Sequence, residues 1–354
     1  MKYIYPALLL LFMASCQKEP KIDHSKTDWE FFKLKGNVEN ISEKSYQLVN
    51  GQKGGLKREL DHDYDLHFNE EGKLTLEKKW IQDKPFEENT YNGQTNMLSS
   101  TQFMSGQPVI KTEYQWDKTG KNNTNIIKRN PDNSQLSREE KIYTKGLLTQ
   151  KNLYDLQDIL TEKTTYEYDE KKNMVKENKF LREETVQYIT SFEYDEKNRK
   201  KLESSYKANG DLIYKTIFDY DGDNLAGVET INGADNTTAK IEKFTYNDKG
   251  KVLTETSYNS FDKTNSVDEY TYDEKGNQTS RSNSKDGNIM GKVAFTYDDK
   301  NNQTSINVVD GAGTTLESKS YTFEYDAHGN WVKKTIKIND KPAFIVERKI
   351  TYYD

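Results

Sequence analysis

The 354 residues carry 52 basic and 58 acidic side chains spread evenly, for a net charge of -6, which argues against a nucleic-acid partner. One cysteine and four scattered histidines exclude an intrachain disulfide and a zinc cluster. Only 33% of residues are hydrophobic, a mark of disorder, yet 24 Tyr and 14 Phe raise the aromatics to 12%, which disordered chains lack.

In chain order, the first predicted element is an address. Lys2 is a positive start, Ala7 to Met13 is apolar with four consecutive leucines, and Met13-Ala14-Ser15-Cys16 comes next. This run resembles a bacterial lipobox. The resemblance implies a signal peptide over 1–15, cleavage before Cys16, and acylation of the Cys16 thiol and amine, with palmitate among the attached chains. Two or more acyl chains anchor stably. Gln17-Lys18-Glu19 resembles a surface-export signature of some Gram-negative lipoproteins, and leaves the cell surface and the periplasmic face both open. Residues 17–28 are polar and read as a tether. Trp29, Phe31 and Phe32 then precede the first glycine turn at Gly36-Asn37 and are expected to cap the first strand of the repeat domain.

From there one unit recurs. An aromatic residue followed by a turn cluster appears at Phe68-Asn69-Glu70-Glu71-Gly72, Trp116-Asp117-Lys118-Thr119-Gly120 and Tyr325-Asp326-Ala327-His328-Gly329-Asn330, among others. From Tyr168 through Tyr194, Tyr220, Tyr246 and Tyr272 to Tyr297, the steps are 26, 26, 26, 26 and 25 residues. A fixed period marks a repeat array. Each repeat reads as a hairpin. Its first strand ends in aromatic-x-Tyr, as in Phe192-Glu193-Tyr194 and Phe244-Thr245-Tyr246, with both rings on one face. Asp then accepts backbone amides while Gly or Asn takes positive φ. A second strand such as Val252 to Tyr258 leads to a looser turn such as Ala208-Asn209-Gly210-Asp211. Pro85, Pro108, Pro131 and Pro342 all fall in the looser turns on this reading, outside the strands, because proline has no ladder donor.

Tyr-x-Tyr-Asp-x-x-Gly-Asn at this spacing, clearest at Tyr270 to Asn277 and Phe323 to Asn330, resembles the YD repeat of the RHS (rearrangement hot spot) family. The resemblance covers about residues 36–354. It implies strips of antiparallel sheet that spiral around a hollow interior, which in some members holds a toxin. Here Ile350-Thr351-Tyr352-Tyr353-Asp354 reads as one more repeat strand, not as a toxin module. The expected fold is all-β: about twelve β-hairpin repeats, of period ~26, in a curled or spiral antiparallel sheet. The expected parts are the signal peptide (1–15), the lipidated Cys16 with tether and cap (16–35), and the repeat domain (36–354). One sheet face is expected to carry aromatics, turned inward, and the other charges.

Several residues are candidate sites. Tyr194, Tyr220, Tyr246, Tyr272, Tyr297 and Tyr325 either stack on a ligand or form the core. Glu43, Glu77, Glu177, Glu203 and Glu255 each lie three residues before a second-strand aromatic, which puts them on the expected polar face. They read as an acidic ladder for cations or glycan hydroxyls, or as a solvated face that blocks sheet stacking. Asp61, Asp63 and Asp65 alternate, as a metal site or a charged edge. Asp219-Tyr220-Asp221-Gly222-Asp223-Asn224 starts like a calcium loop but lacks its later glycine and glutamate, and reads as a turn. No HExxH, CxxC, Gly-x-Ser-x-Gly or phosphate-loop pattern occurs, so no catalytic residue, metal or cofactor is assigned. The expected function is a non-enzymatic binding scaffold, lipid-anchored at the outer membrane of a Gram-negative bacterium, for a glycan or a protein partner. The alternative, drawn from the RHS resemblance, is a structural or immunity component of an interbacterial antagonism system.

Overall fold

The computed structural model describes residues 27–58, 62–182 and 185–354. Among them one short helix, α1 (Asp28–Phe31), precedes twenty-five strands that form one sheet. The first three strands are β1 (Val38–Val49), β2 (Gln52–Leu56) and β3 (Asp63–Phe68). Regular hairpins then run from β4 (Leu74–Ile81) to β24 (Trp331–Ile338) and the last strand, β25 (Lys341–Tyr352).

The strands form successive hairpins, but the expected spiral is not formed. The sheet closes on itself. β1 pairs antiparallel with β25 from Val38 opposite Tyr352 to Gln47 opposite Phe344. The other edge of β1 is shared: Asn40 to Ser42 pair with β3, and Tyr46 to Val49 pair with β2. Twenty-four strands therefore make a closed antiparallel barrel, with β2 as one extra strand beside β1. A spiral would leave two edges of unpaired backbone groups, and closure satisfies both.

The register sets the dimensions. Crossing two strands from Phe192 through its partner Glu203 lands on Thr216, two residues short of Phe218, the matching position of the next repeat. Phe244 leads through Glu255 to Asp268, again two short of Tyr270. Two residues of stagger per two strands is about 6.6 Å against about 9.6 Å, a strand tilt of roughly 35°. Twenty-four strands at that tilt enclose a barrel of roughly 45 Å diameter if round, far wider than side chains can fill.

Burial agrees with a hollow wall. Ten hydrophobic residues are buried among those described, and eight of them flank the closure. Val38, Ile41, Leu66, Phe68 and Leu74 form one cluster, and Ile336, Phe344 and Val346 the other. The N-terminal segment packs on the first. Trp29 donates its indole N–H to Val38 O at 2.8 Å, and Phe32 meets Phe68 edge-on at 5.8 Å, while Phe31 stays exposed. Trp29 also covers Gly72, which has φ +74°. A Cβ there would lie 2.5 Å from the indole, so only glycine fits.

Two sequence expectations need correction. The faces are not divided into aromatic and charged. Glu177, Glu203 and Glu255 stand directly opposite Tyr166, Phe192 and Phe244, on the concave face with the aromatic-x-Tyr rings. Tyr258 pairs with Ile241 on the outer face. A register shift at each turn, such as the one between Thr245 and Tyr246, decides which residues share a face across strands. The prolines also move. Pro85, Pro108 and Pro342 are each the second residue of a strand, at a register irregularity, and Pro131 alone stays in a turn. A bulge removes the need for a ladder N–H as well as a loop does.

Candidate functional site

The concave wall is built from a repeating clasp. Tyr194, Tyr220, Tyr246, Tyr272 and Tyr297 end their strands and donate their hydroxyls to the carbonyls of Met174, Lys200, Leu225, Val252 and Gln278, at 2.7 to 2.9 Å. Each acceptor is the first residue of the second strand of the preceding hairpin, or for Leu225 the second, where the bulge disturbs the ladder. Tyr168 makes the same bond to Leu148, and Trp116 uses its indole N–H on Met97 O. Tyr325 departs from the row: it donates to Asp298 at 2.9 Å and accepts from Asn302. Burial raises the pKa of these phenols, reaching about 12 at Tyr325, where Asp298 adds to it. They stay neutral donors. The six candidate tyrosines thus bind their neighbours by the hydroxyl and leave ring surface on the wall.

The turns beyond them are also linked. Asp273 Oδ1 accepts the Asn277 N–H at 2.8 Å, and Asn277 Nδ2 returns to Asp273 Oδ2 and crosses to Asn301 of the next turn. Asn69 and Asn96 reach the carbonyls of Gly93 and Gly120 in the same way. The rim of Asp-x-x-Gly-Asn turns is therefore tied from repeat to repeat. In the Asp219 to Asn224 run, Asp219 to Asp221 end one strand, Asn224 begins the next, and Gly222-Asp223 make the tight turn between them, with φ +59° at Gly222.

Inside this wall lies a cavity of about 1050 Å³. Phe218, Phe244, Tyr246 and Tyr272 line it with Glu203, Glu242, Glu255 and Lys240. Glu242 is held by Lys240 at 2.6 Å, and Glu203 by Lys200 at 2.9 Å. Burial, with Asp268 and Glu242 nearby, raises the pKa of Glu255. The ladder glutamates are thus spread over the inner wall among aromatic rings.

A second cluster sits at the closure. Glu43 is 2% exposed and takes both Arg58 and Arg348, the latter at 2.8 Å. Asp63 is 3% exposed; it accepts Ser45 N–H at 2.9 Å and Ser45 O–H at 2.5 Å, and pairs with Arg58 at 3.0 Å. Its carboxylate thus fills the gap where β3 leaves β1. Arg348 lies 3.4 Å over the Trp331 ring; burial lowers its pKa while Glu43 opposes the shift. Arg58 is pulled down by burial, but Glu43 and Asp63 outweigh that and hold it above the usual arginine value. Sequence spacing offered no signal for this group, since Glu43 and Arg348 are 305 residues apart. Asp65 turns away to the Trp80 indole at 2.8 Å, so Asp63 and Asp65 do not converge. No metal-holding group of His, Cys, Asp and Glu occurs among the described residues. Cys16, the 1–15 segment and Asp61 lie outside the described residues.

The outer face is polar along its rows. Glu324, Lys333, Glu347 and Lys44 stand side by side, as do Thr245, Thr254, Glu269, Ser282 and Lys292. A lipid-facing barrel needs an apolar band about 25 Å tall, which these rows interrupt.

No family model and no curated protein matches the chain. Solved structures give loose similarity. A crystal structure of TcdB2-TccC3-Cdc42 shares 10% identity and a TM-score of 0.31, over 83% of this chain and 21% of that one. The Photorhabdus luminescens Tc holotoxin pore gives 12% and 0.34, over 88% and 18%. A porin-like protein from Bacteroides uniformis gives 9% and 0.22, over 89% and 98%. The chain spans about a fifth of the toxin chains it matches. Scores this low carry no inference, and the barrel rests on its own strand pairing.

Proposed function

We propose that the chain is a non-enzymatic binding protein of the bacterial cell envelope, held at the outer membrane through lipidated Cys16, with the barrel interior as a platform for carbohydrate. The observation that carries this reading is the inner cavity. Phe218, Phe244, Tyr246 and Tyr272 offer faces to the apolar side of sugar rings, and Glu203, Glu242 and Glu255 offer acceptors to their hydroxyls. This stretch, about 1050 Å³ along the wall of a far wider interior, leaves room for an oligosaccharide. The polar outer wall supports attachment by an acyl anchor in place of insertion, and the repeat's resemblance to YD sequences agrees with an extended binding surface.

The test is a glycan array probed with the unacylated protein, followed by titration of the best ligand. Phe244→Ala and Tyr272→Ala are each expected to weaken binding about tenfold, which is about 1.4 kcal/mol, with the fold retained. Binding that ignores both substitutions, or turnover of the ligand, would refute the reading.

A further inference from the structure

The two rims of the barrel differ in chemistry. One holds the Asp-x-x-Gly-Asn turns and the other the looser turns. Among the described residues seventeen large apolar or tyrosine side chains are exposed, and thirteen of them lie within four residues of a looser turn. Phe261 is 96% exposed, Met104 69%, Leu156 64% and Ile289 61%. The remaining four, Phe31, Leu98, Ile142 and Leu253, are at the opposite end. Exposed apolar groups normally scatter singly over a surface; here they gather on one rim.

Weighted by their exposed fractions, at about 180 Å² each, the thirteen present on the order of 1,300 Å², against about 800 Å² per partner in a standard interface. Among them four pairs of opposite charge stand at adjacent exposed positions, Asp83-Lys84, Asp262-Lys263, Lys285-Asp286 and Asp340-Lys341, beside the exposed acids Asp132, Asp211 and Asp235. Such a rim has little net attraction to anionic lipid, but can set acid against base when it meets itself across a two-fold axis. The described chain begins at the other rim, where the Asp28 N–H bonds Gly72 O.

We propose that the looser-turn rim docks against the same rim of a second copy of this chain. Two rings of equal diameter then meet end to end, and their interiors join into one enclosed space twice as long.

Sedimentation equilibrium of the full chain, with Cys16→Ser to remove acylation, tests this. The expected result is a species of twice the 41.2 kDa chain mass at micromolar concentration. Phe261→Asp combined with Leu156→Asp is expected to shift it to monomer with unchanged circular dichroism, since both side chains are already exposed. Leu253→Asp, on the opposite rim, is expected to leave the dimer intact. A monomer at all concentrations, or a dimer that survives the double substitution, overturns the proposal. Flotation of a monomer with phosphatidylcholine vesicles, lost in the double variant, also overturns it and makes the rim a lipid surface.

Discussion

Replacing Tyr246 by Phe removes one oxygen and leaves the ring in place. The Tyr246 hydroxyl donates to Leu225 O at 2.8 Å, tying one hairpin to the one before it. A neutral hydrogen bond contributes about 0.5–1.5 kcal/mol net. The unfolding free energy should therefore fall by about 1 kcal/mol, with a drop in Tm of about 1–2 °C for a chain of this size. The same bond recurs at Tyr168, Tyr194, Tyr220, Tyr272 and Tyr297. If the six act independently, Phe at all of them removes roughly 6 kcal/mol, comparable to the whole stability of many proteins. Guanidinium unfolding followed by circular dichroism measures both variants, with Tyr258→Phe as the control because Tyr258 faces outward, off the clasp row. A sixfold variant as stable as the parent chain, or a Tyr258→Phe loss as large as that of Tyr246→Phe, would refute the clasp as a source of stability.

The charged groups give further expected outcomes. Glu43→Gln leaves Arg58 and Arg348 facing a neutral amide at the closure, so a loss of about 3–5 kcal/mol is expected, with early proteolysis near β1 and β25. A stable, protease-resistant Glu43→Gln chain would show that the ion cluster does not hold the ring shut. The turn aspartates set the acid limit. Asp117 is held at about 2, first by the Thr119 hydroxyl, and Asp273 is lowered, first by Asn277. Their folded pKa values lie below the unfolded one, so this stabilisation is present above the unfolded value of about 4 and is lost as pH falls through the folded value, about 2 for Asp117. A circular dichroism titration should show unfolding in that window; a transition centred at pH 5 or above would contradict it. Glu255 runs the other way, because burial, then Asp268 and Glu242, raise its pKa. Its charge is a cost at neutral pH that protonation relieves. Glu255→Gln should therefore be more stable than the parent at pH 7, with the difference gone below about pH 4. Urea midpoints at the two pH values decide it.

Much of the wall was legible in the chain. The 26-residue step of Tyr168 to Tyr297 marked the hairpins, and Asp, Gly and Asn at fixed offsets marked the tight turns, because both signals act over a few residues. Five of these tyrosines, Tyr194, Tyr220, Tyr246, Tyr272 and Tyr297, were singled out, but not their bonds, since each hydroxyl reaches a carbonyl about 20 residues earlier in another hairpin. The glutamates were assigned to the wrong face for a related reason. Alternation orders residues within a strand, while the bulge between strands decides that Glu255 meets Phe244 and that Tyr258 points outward.

The sequence by itself determined an all-β array, its period, its turns and the tyrosines that end its strands. Only the tertiary structure decided between a spiral and a ring. That choice depends on the stagger summed over every hairpin, and on whether β1 then lies in register with β25. No single repeat contains that information. It also brought Glu43, Arg58, Asp63 and Arg348 together, because their ion cluster exists only where the two ends of the sheet meet.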